Sequence, residues 1–231
     1  MALSVSRPQL LARLARLVDS RRMADQVLRV AIDGPDAAGK TTLADALAAR
    51  IAAETGGAGQ TIRVSIDDFH QPREVRYRRG PLSAAGYVED SFDYDAVRRL
   101  VLEPLAPGGS RWYQPGSFSH RADTPCEPPR RQADPGAALL FDGVFLLRAD
   151  LRGYWDLRIF VDVSPEETLR RALERDVDVL GSGADVRERY LRRYLPGQQI
   201  YRAAASPEAT ADVVIDNNDP ARPRILTWPG G

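Results

Sequence analysis

Lysine is all but missing from this chain. Of 32 basic residues in 231, only Lys40 is lysine, so the other 31 are arginines. Cysteine is equally scarce: Cys126 stands alone in the proline-rich stretch TPCEPP, which excludes an internal disulfide framework. Histidine is limited to His70 and His120, and two histidines and one cysteine so far apart in sequence make no zinc-type cluster. An excess of charge is lacking too. Thirty-two acidic residues balance the basic ones, giving a formal net charge of zero and a pI near 6.8. That balance offers no global electrostatic footprint for a nucleic acid or an anionic membrane. No apolar run approaches the roughly 20 residues of a membrane helix. The opening MALSVSRPQLLARLARLVDSRR threads arginines through its leucines where a signal peptide would carry an apolar core, and Asp19 and the leucine content speak against a transit peptide. These absences point to a soluble, reducing, cytoplasmic setting without nucleic-acid or membrane partners.

What is present is a rhythm of short apolar runs. LRVAIDG (28–34), TIRVSIDD (61–68), ALLFDG (138–143), LRIFVDV (157–163) and ADVVIDN (211–217) are rich in Val, Ile and Leu and end at acidic or turn residues. Runs of this kind, separated by helical patterns, predict strands buried on both faces of a parallel sheet, hence an α/β fold. Ala44, Leu47, Ala48 and Ile51 recur at helical spacing. So do Leu10, Leu14 and Leu17, which predicts an amphipathic N-terminal helix packed on the main body. Ser164-Pro165-Glu166-Glu167 combines a capping serine, a proline at the first helical position and a glutamate three residues past the cap, so a helix is expected from there through Arg175. The stretch from about 104 to 136 is rich in Pro, Gly, Arg and Gln, lacks periodicity and is too long for a simple connector.

GPDAAGKTT (34–42) spells a complete Walker A pattern that follows one predicted strand and opens a predicted helix. Its glycines, Gly34 and Gly39, let the backbone curl so that the amides of Asp36, Ala37, Ala38 and their neighbours face a polyphosphate, and the helix N-terminus adds about half a positive charge. Thr41, backed by Thr42, offers a hydroxyl to Mg²⁺. Lys40 has to reach along the β- and γ-phosphates as a compact point charge, a task for which arginine's wide planar fork is ill suited. This is why the one lysine stands here. A metal-bound triphosphate also needs carboxylates, and two strand ends supply them: Asp67 or Asp68 in SIDDFH, and Asp142 in LLFDG. Ligands of open parallel sheets sit beyond the carboxyl ends of the strands, where all these groups emerge. Asp142 follows four apolar residues as a Walker B acid does, and Asp67 is positioned to orient or deprotonate an acceptor hydroxyl.

Taken in order, GPDAAGKTT, SIDDFHQP, EDSFDYDAV, WYQPGSFSHR, LLFDG, IFVDVSPEETLRRALERD and ADVVIDN resemble the uridine kinase group of P-loop kinases, relatives of phosphoribulokinase and bacterial pantothenate kinase, over roughly residues 28 to 217. The resemblance implies an NMP-kinase-like fold: a five-stranded parallel sheet flanked by helices, with a helical lid. It implies use of ATP or GTP with Mg²⁺ to phosphorylate the 5′-hydroxyl of a nucleoside, uridine or cytidine. By motif, Asp67 matches the family's catalytic base, and Thr41, Asp67 and Asp142 match its metal environment. Tyr113 and His120 match its nucleobase-recognising pair, with Phe69, His70 and Arg121 beside them in the same motifs. Arg171 and Arg175 match part of its lid, and Asn217 a contact to the nucleotide base.

Several positions depart from that pattern. Asp142 stands where uridine kinases usually have Glu, and Tyr87 stands where the family places a ribose-binding Asp, with Glu89 or Asp90 as substitutes. Ala172 occupies one lid-arginine position. Arg187 or Arg189, beyond the flexible Gly181-Ser182-Gly183, is then the expected replacement. The expected layout is an N-terminal helix (1–24), a kinase domain (25–231), an acceptor-binding insertion (about 69–136) and a lid (about 170–200). A pantothenate-like or sugar-like acceptor, or a non-catalytic nucleotide-binding regulator, stays open beside the nucleoside reading, as does assembly into a homo-oligomer.

Overall fold

The structure, a computed structural model, describes residues 2–54, 56 and 59–230. Seven strands form one mixed sheet: β1 (Leu3–Ser4), β2 (Leu28–Asp33), β3 (Thr61–Ser65), β4 (Ala138–Gly143), β5 (Leu157–Asp162), β6 (Val213–Asp216) and β7 (Arg224–Thr227), in the order β1-β7-β6-β5-β2-β4-β3. The five strands from β6 to β3 run parallel and are the five apolar runs of the sequence. β7 and β1 add an antiparallel margin that sequence reading missed. Both are short and mostly exposed, with Ile225 the one buried residue between them, so neither carries an apolar run.

Every residue of β2 and β4 is buried, which is why neither strand alternates polar with apolar. On one face Val30, Ile32, Leu140 and Ile159 pack under two helices, α1 (Arg7–Arg21) and α2 (Lys40–Glu54). On the other, Ala31, Phe141, Phe160 and Val64 pack under Tyr87, Val97, Phe145 and Tyr201. Helix α1 opens on a Ser6/Gln9 capping box and buries Leu10, Leu14, Ala15 and Val18, while Leu17 is only partly covered.

Register brings the chemistry to one edge. Ile32 lies opposite Asp142 in the β2–β4 pair, and Ser65 lies opposite Asp142 in the β3–β4 pair, so the carboxyl ends of these three strands are level. The run expected to be strand through 68 stops at Ser65, whose hydroxyl accepts from the Asp67 amide at 3.4 Å and turns Ile66–Phe69 into a 3₁₀ turn. The aperiodic stretch 104–136 is pinned by two small ladders, Trp112–Tyr113 with Arg131–Gln132 and Phe118–Ser119 with Thr124–Pro125.

Between β3 and β4 the chain forms α3 (Ala84–Asp90), which lies against α6 (Leu195–Ala205). Between β5 and α6 come α4 (Pro165–Arg175), capped by Ser164 as expected, then Gly181 at φ 105°, then α5 (Gly183–Arg189) and a wide π-type turn, Tyr190–Tyr194. Helices α4 and α5 share only a small core of their own, Ala172, Val186 and Tyr190. Among the described residues no helix is long and apolar enough to cross a membrane.

One buried polar strut ties this sheet edge to α6. Asp33 is fully buried at the end of β2, and burial pushes its carboxyl above the usual range. It accepts from the amides of Gly34 (2.7 Å) and Leu147 (3.2 Å) and from the Tyr201 hydroxyl. Tyr201→Phe leaves Asp33 short of a donor in a dry setting and is expected to cost about 1 to 3 kcal/mol of unfolding free energy. Urea denaturation checks this, and a change near zero would mean the strut is not holding α6.

Candidate active site

The phosphate-loop sequence adopts the shape its glycines permit. Gly34 leaves β2 at φ 152°, and a β-carbon there would lie 2.2 Å from the carbonyl oxygen of Val161 on β5, so no larger residue fits. Gly39, at φ 84°, closes the loop before α2. Three side chains hold the loop from behind. Asn217 donates to the Ala38 carbonyl at 2.8 Å, Arg171 to the Ala37 carbonyl at 3.2 Å, and the Tyr87 hydroxyl to Asp36 at 2.6 Å. The first-turn amides of α2, including those of Thr41 and Thr42, have no acceptor within the helix and are free to meet an anion.

Lys40 is 9% exposed and donates to the Pro35 carbonyl at 2.7 Å. Burial lowers its proton affinity, while Asp36, Asp33, Asp67 and Asp142 raise it. One ammonium therefore faces several carboxylates. Asp142, 1% exposed, has both oxygens engaged: one accepts from the Thr41 hydroxyl at 2.6 Å, the other from Arg63 at 2.7 Å. Arg63 rises from β3 and also reaches Asp45 and the Leu140 carbonyl. Asp67 opens onto the cleft, yet the surrounding walls displace bulk water and push its carboxyl up to about 6. Lys40 holds it down, and Asp142, Asp36 and Asp68 add to the rise. Of the two acids weighed on this turn, Asp67 lines the cavity and Asp68 does not.

These groups border a cavity of about 330 Å³, within the range of small-molecule sites. Its far wall is aromatic and basic. His70 packs at a tilt against His120, with centroids 4.1 Å apart, and against Phe92 at 4.5 Å, and one ring nitrogen lies 2.8 Å from the Asp67 backbone carbonyl. Burial pushes His70 down to about 3 and lowers His120 too, so both rings are neutral at physiological pH. Tyr87 presents its ring edge-on to Tyr194 at 4.8 Å. Arg76, Tyr77, Ser91, Arg189 and Arg193 complete this end. A second opening of about 500 Å³ lies on the other side of the phosphate loop and shares Ala37, Gly39, Thr42 and Arg175 with the first; Arg171 and Asn217 line it.

Other expected residues are placed elsewhere. Phe69 is wholly buried beneath the site, stacked on Phe141. Tyr113 is 3% exposed in the core behind the 112–113 ladder, so it is not paired with His120 across the cavity. Arg121 is exposed and does not line the cavity. Asp90 is taken up by Arg78 and Arg79, and Glu89 by Arg148, so neither stands in for the ribose-binding acid. Of the lid arginines, Arg175 lines both openings and pairs with Asp176 at 2.6 Å. Arg189 reaches the cavity, whereas Arg187 points outside it. Arg63, Arg76, Tyr77, Phe92, Arg193 and Tyr194 were not anticipated. Three of these are arginines and three are aromatics, and an arginine carries no signal of its own in a chain with so many.

A model of the phosphoribulokinase / uridine kinase family matches residues 29–216. Among solved structures, one described as a possible uridine kinase from Bacillus stearothermophilus superposes with a TM-score of 0.69 at 21% identity, over 88% of this chain and 96% of that one. Another, described as a candidate fructose transport system kinase from Silicibacter sp. TM1040, gives 0.67 at 22% identity, over 84% and 95%. At these identities the likeness shows the shared fold. No curated protein matches the chain.

The crowding around Lys40 has a measurable consequence. Without nucleotide, the Asp67 carboxyl is expected to titrate near pH 6 by carbon-detected NMR, against an ordinary value of 3.8. Lys40→Met removes the cation that favours the ionised form, so the midpoint should move up. A midpoint near the ordinary value in both proteins would show that the cleft walls do not shield Asp67.

Proposed function

The chain belongs to the phosphoribulokinase / uridine kinase family, and from that membership we propose an ATP-dependent kinase that moves the γ-phosphoryl group to a hydroxyl of a small molecule. The observation that carries this reading is the meeting of Lys40, Thr41, Asp67 and Asp142 at one end of a single cavity, with room for an acceptor at the other. A purely nucleotide-binding regulator would need neither Asp67 nor the aromatic end.

The triphosphate of ATP, or of GTP, would lie on residues 34–41, its base side directed to the second opening beside Asn217 and Arg171. Lys40 would bridge phosphate oxygens, and Arg175, facing both openings, would meet charge on the transferring group. Asp67 takes the acceptor's hydroxyl proton as the oxygen attacks phosphorus and the bond to the ADP oxygen breaks, giving the phosphate monoester, ADP and a protonated carboxyl. Because that carboxyl must start ionised, kcat/KM, which reports the free protein, is expected to fall as pH drops through about 6. Among the described residues no three His, Cys, Asp or Glu side chains form a metal cage, which suits a hard cation held mainly by phosphate oxygens and water. Thr41 and Asp142 would hold Mg²⁺, Asp142 through water because Thr41 and Arg63 already occupy its oxygens. Magnesium would neutralise charge on the β- and γ-phosphoryl oxygens. A need for ATP fits work in the cytoplasm.

For the acceptor, the His70, His120 and Phe92 rings offer faces on which a nucleoside base can stack. The withdrawal of Tyr113 into the core favours a second reading, a sugar-like or pantothenate-like hydroxyl compound. A coupled ADP-release assay over nucleosides, sugars and hydroxy acids tests both. Lys40→Met and Asp67→Asn are each expected to lower kcat by at least about 10²-fold. Asp67→Asn should keep its affinity for Mg·ATP. Full activity in Asp67→Asn would remove Asp67 as base, and ATP binding without ADP release for any acceptor would leave the regulator.

A further inference from the structure

Arg193 is 3% exposed and has no carboxylate within ion-pair distance among the described residues. Its guanidinium meets only neutral oxygens, one at ordinary hydrogen-bond distance and three longer: the carbonyls of Ser83 (3.1 Å), Arg76 (3.4 Å) and Pro81 (3.5 Å) and the Ser91 hydroxyl (3.5 Å). Its charge lies over the rings of Tyr77, 5.1 Å from the centroid, and Tyr87, 5.6 Å away. Arg189 lies over the same Tyr77 ring at 5.9 Å, donates to the Tyr77 hydroxyl at 3.3 Å, and has no carboxylate within ion-pair distance among the described residues, with Asp185 acting on it only from further off. Arg76 adds a third guanidinium over that ring at 5.5 Å; one of its nitrogens pairs with Asp123 at 2.7 Å, but its Nε is buried without an acceptor. All three line the acceptor end of the cavity.

A guanidinium taken out of water without a counter-ion is costly, and buried charges in folded proteins are paired. Cation–π contacts return only about 0.5 to 2 kcal/mol each, which does not replace a counter-ion. Nearby acids do not help, because Asp123 is spent on Arg76 and Asp90 on Arg78 and Arg79. The missing negative charge has to come from outside the chain. We infer that the phosphoryl acceptor itself carries an anionic group, a carboxylate or a phosphate monoester, which seats against Arg193, Arg189 and Arg76 while its hydroxyl faces Asp67. This rests on the kinase reading above and narrows it: neutral nucleosides and neutral sugars would be poor acceptors. The alternative source of the anion is the nucleotide. Against it, Arg193 is anchored to the backbone of residues 76–83, ahead of α3, whereas Arg171 and Arg175 are placed beside the phosphate loop.

Two measurements on the full chain test this separately from the kinase reading. In ADP-release assays with matched pairs, such as a pentose and its phosphate or a polyol and its hydroxy acid, the anionic member should exceed the neutral one in kcat/KM by at least about tenfold, as a charge-assisted contact supplies. Arg189→Gln should erase most of that preference by raising the acceptor KM while the ATP KM stays within about twofold. Arg193→Lys, which keeps the charge but loses the fork, should fall between. Preference for the neutral member, or a rise in the ATP KM instead, would overturn the inference. Secondly, calorimetry with inorganic phosphate on protein saturated with Mg²⁺ and a non-hydrolysable ATP analogue should detect binding that weakens at least about tenfold in Arg189→Gln. No binding, or binding indifferent to Arg189 and Arg193, would sink the anion site even if the enzyme proved a kinase. Arginine-dependent phosphate binding without ADP release for any acceptor would instead keep the site and reject the kinase reading.

Discussion

The backbone leaving β2 passes so close to the Val161 carbonyl on β5 that only hydrogen fits on the α-carbon of Gly34. That approach, more than any side chain, sets where the phosphate loop can go. Residues 35–39 have to arch over the sheet edge, and the arch delivers Lys40 and Thr41 to the first turn of α2 beside the end of β4. The strut of Asp33, Tyr201 and the Leu147 amide holds the same corner from the opposite face. Level strand ends and a tight glycine together convert an ordinary parallel sheet into a platform with amides facing outward.

On that platform charge is badly balanced until a ligand arrives. Asp33, Asp36, Asp67 and Asp142 all act on one ammonium, and Asp142 draws in Arg63 as well. A bare triphosphate would find too many carboxylates and too few cations at this end. On the kinase reading proposed above, a divalent cation arriving with the nucleotide would correct the count. Shielding by the cleft walls, with a smaller push from Asp142, Asp36 and Asp68, raises the Asp67 carboxyl toward the range where a general base works near neutral pH.

Much of this was legible in the sequence, and the reasons are physical. Strands buried on both faces must be apolar runs, so the five parallel strands announced themselves. The glycine spacing and the solitary lysine marked the phosphate loop because the loop's geometry tolerates few substitutes. Asp67 and Asp142 were readable because strand ends at one sheet edge are constrained by register. What escaped notice depends on partners distant in sequence. Asn217 and Arg171 look like ligand contacts, yet they hold the carbonyls of Ala38 and Ala37 in place. Tyr113 sits in a motif that suggested a base-recognising residue, but the ladder around it turns the ring into the core. β1 and β7 are too short and too exposed to leave a pattern.

The acceptor end was the least legible part because its informative residues are arginines, the commonest cation in the chain. Composition makes each one look like a solvated surface charge. Burial alone separates Arg193 from Arg192, its neighbour, which is exposed and paired with Glu188 at 2.8 Å. The wide turn Tyr190–Tyr194 is what points one of the two inward, against the backbone of 76–83, and leaves the other in water. Identical side chains one residue apart therefore have opposite energetics, one satisfied by a carboxylate at the surface and one left short of negative charge inside the cleft. A family motif records the first kind of constraint poorly and the second not at all, since the group that balances Arg193 belongs to another molecule. Specificity for the acceptor is written in that deficit, and the phosphate loop, shared across so many kinases, has no part in it.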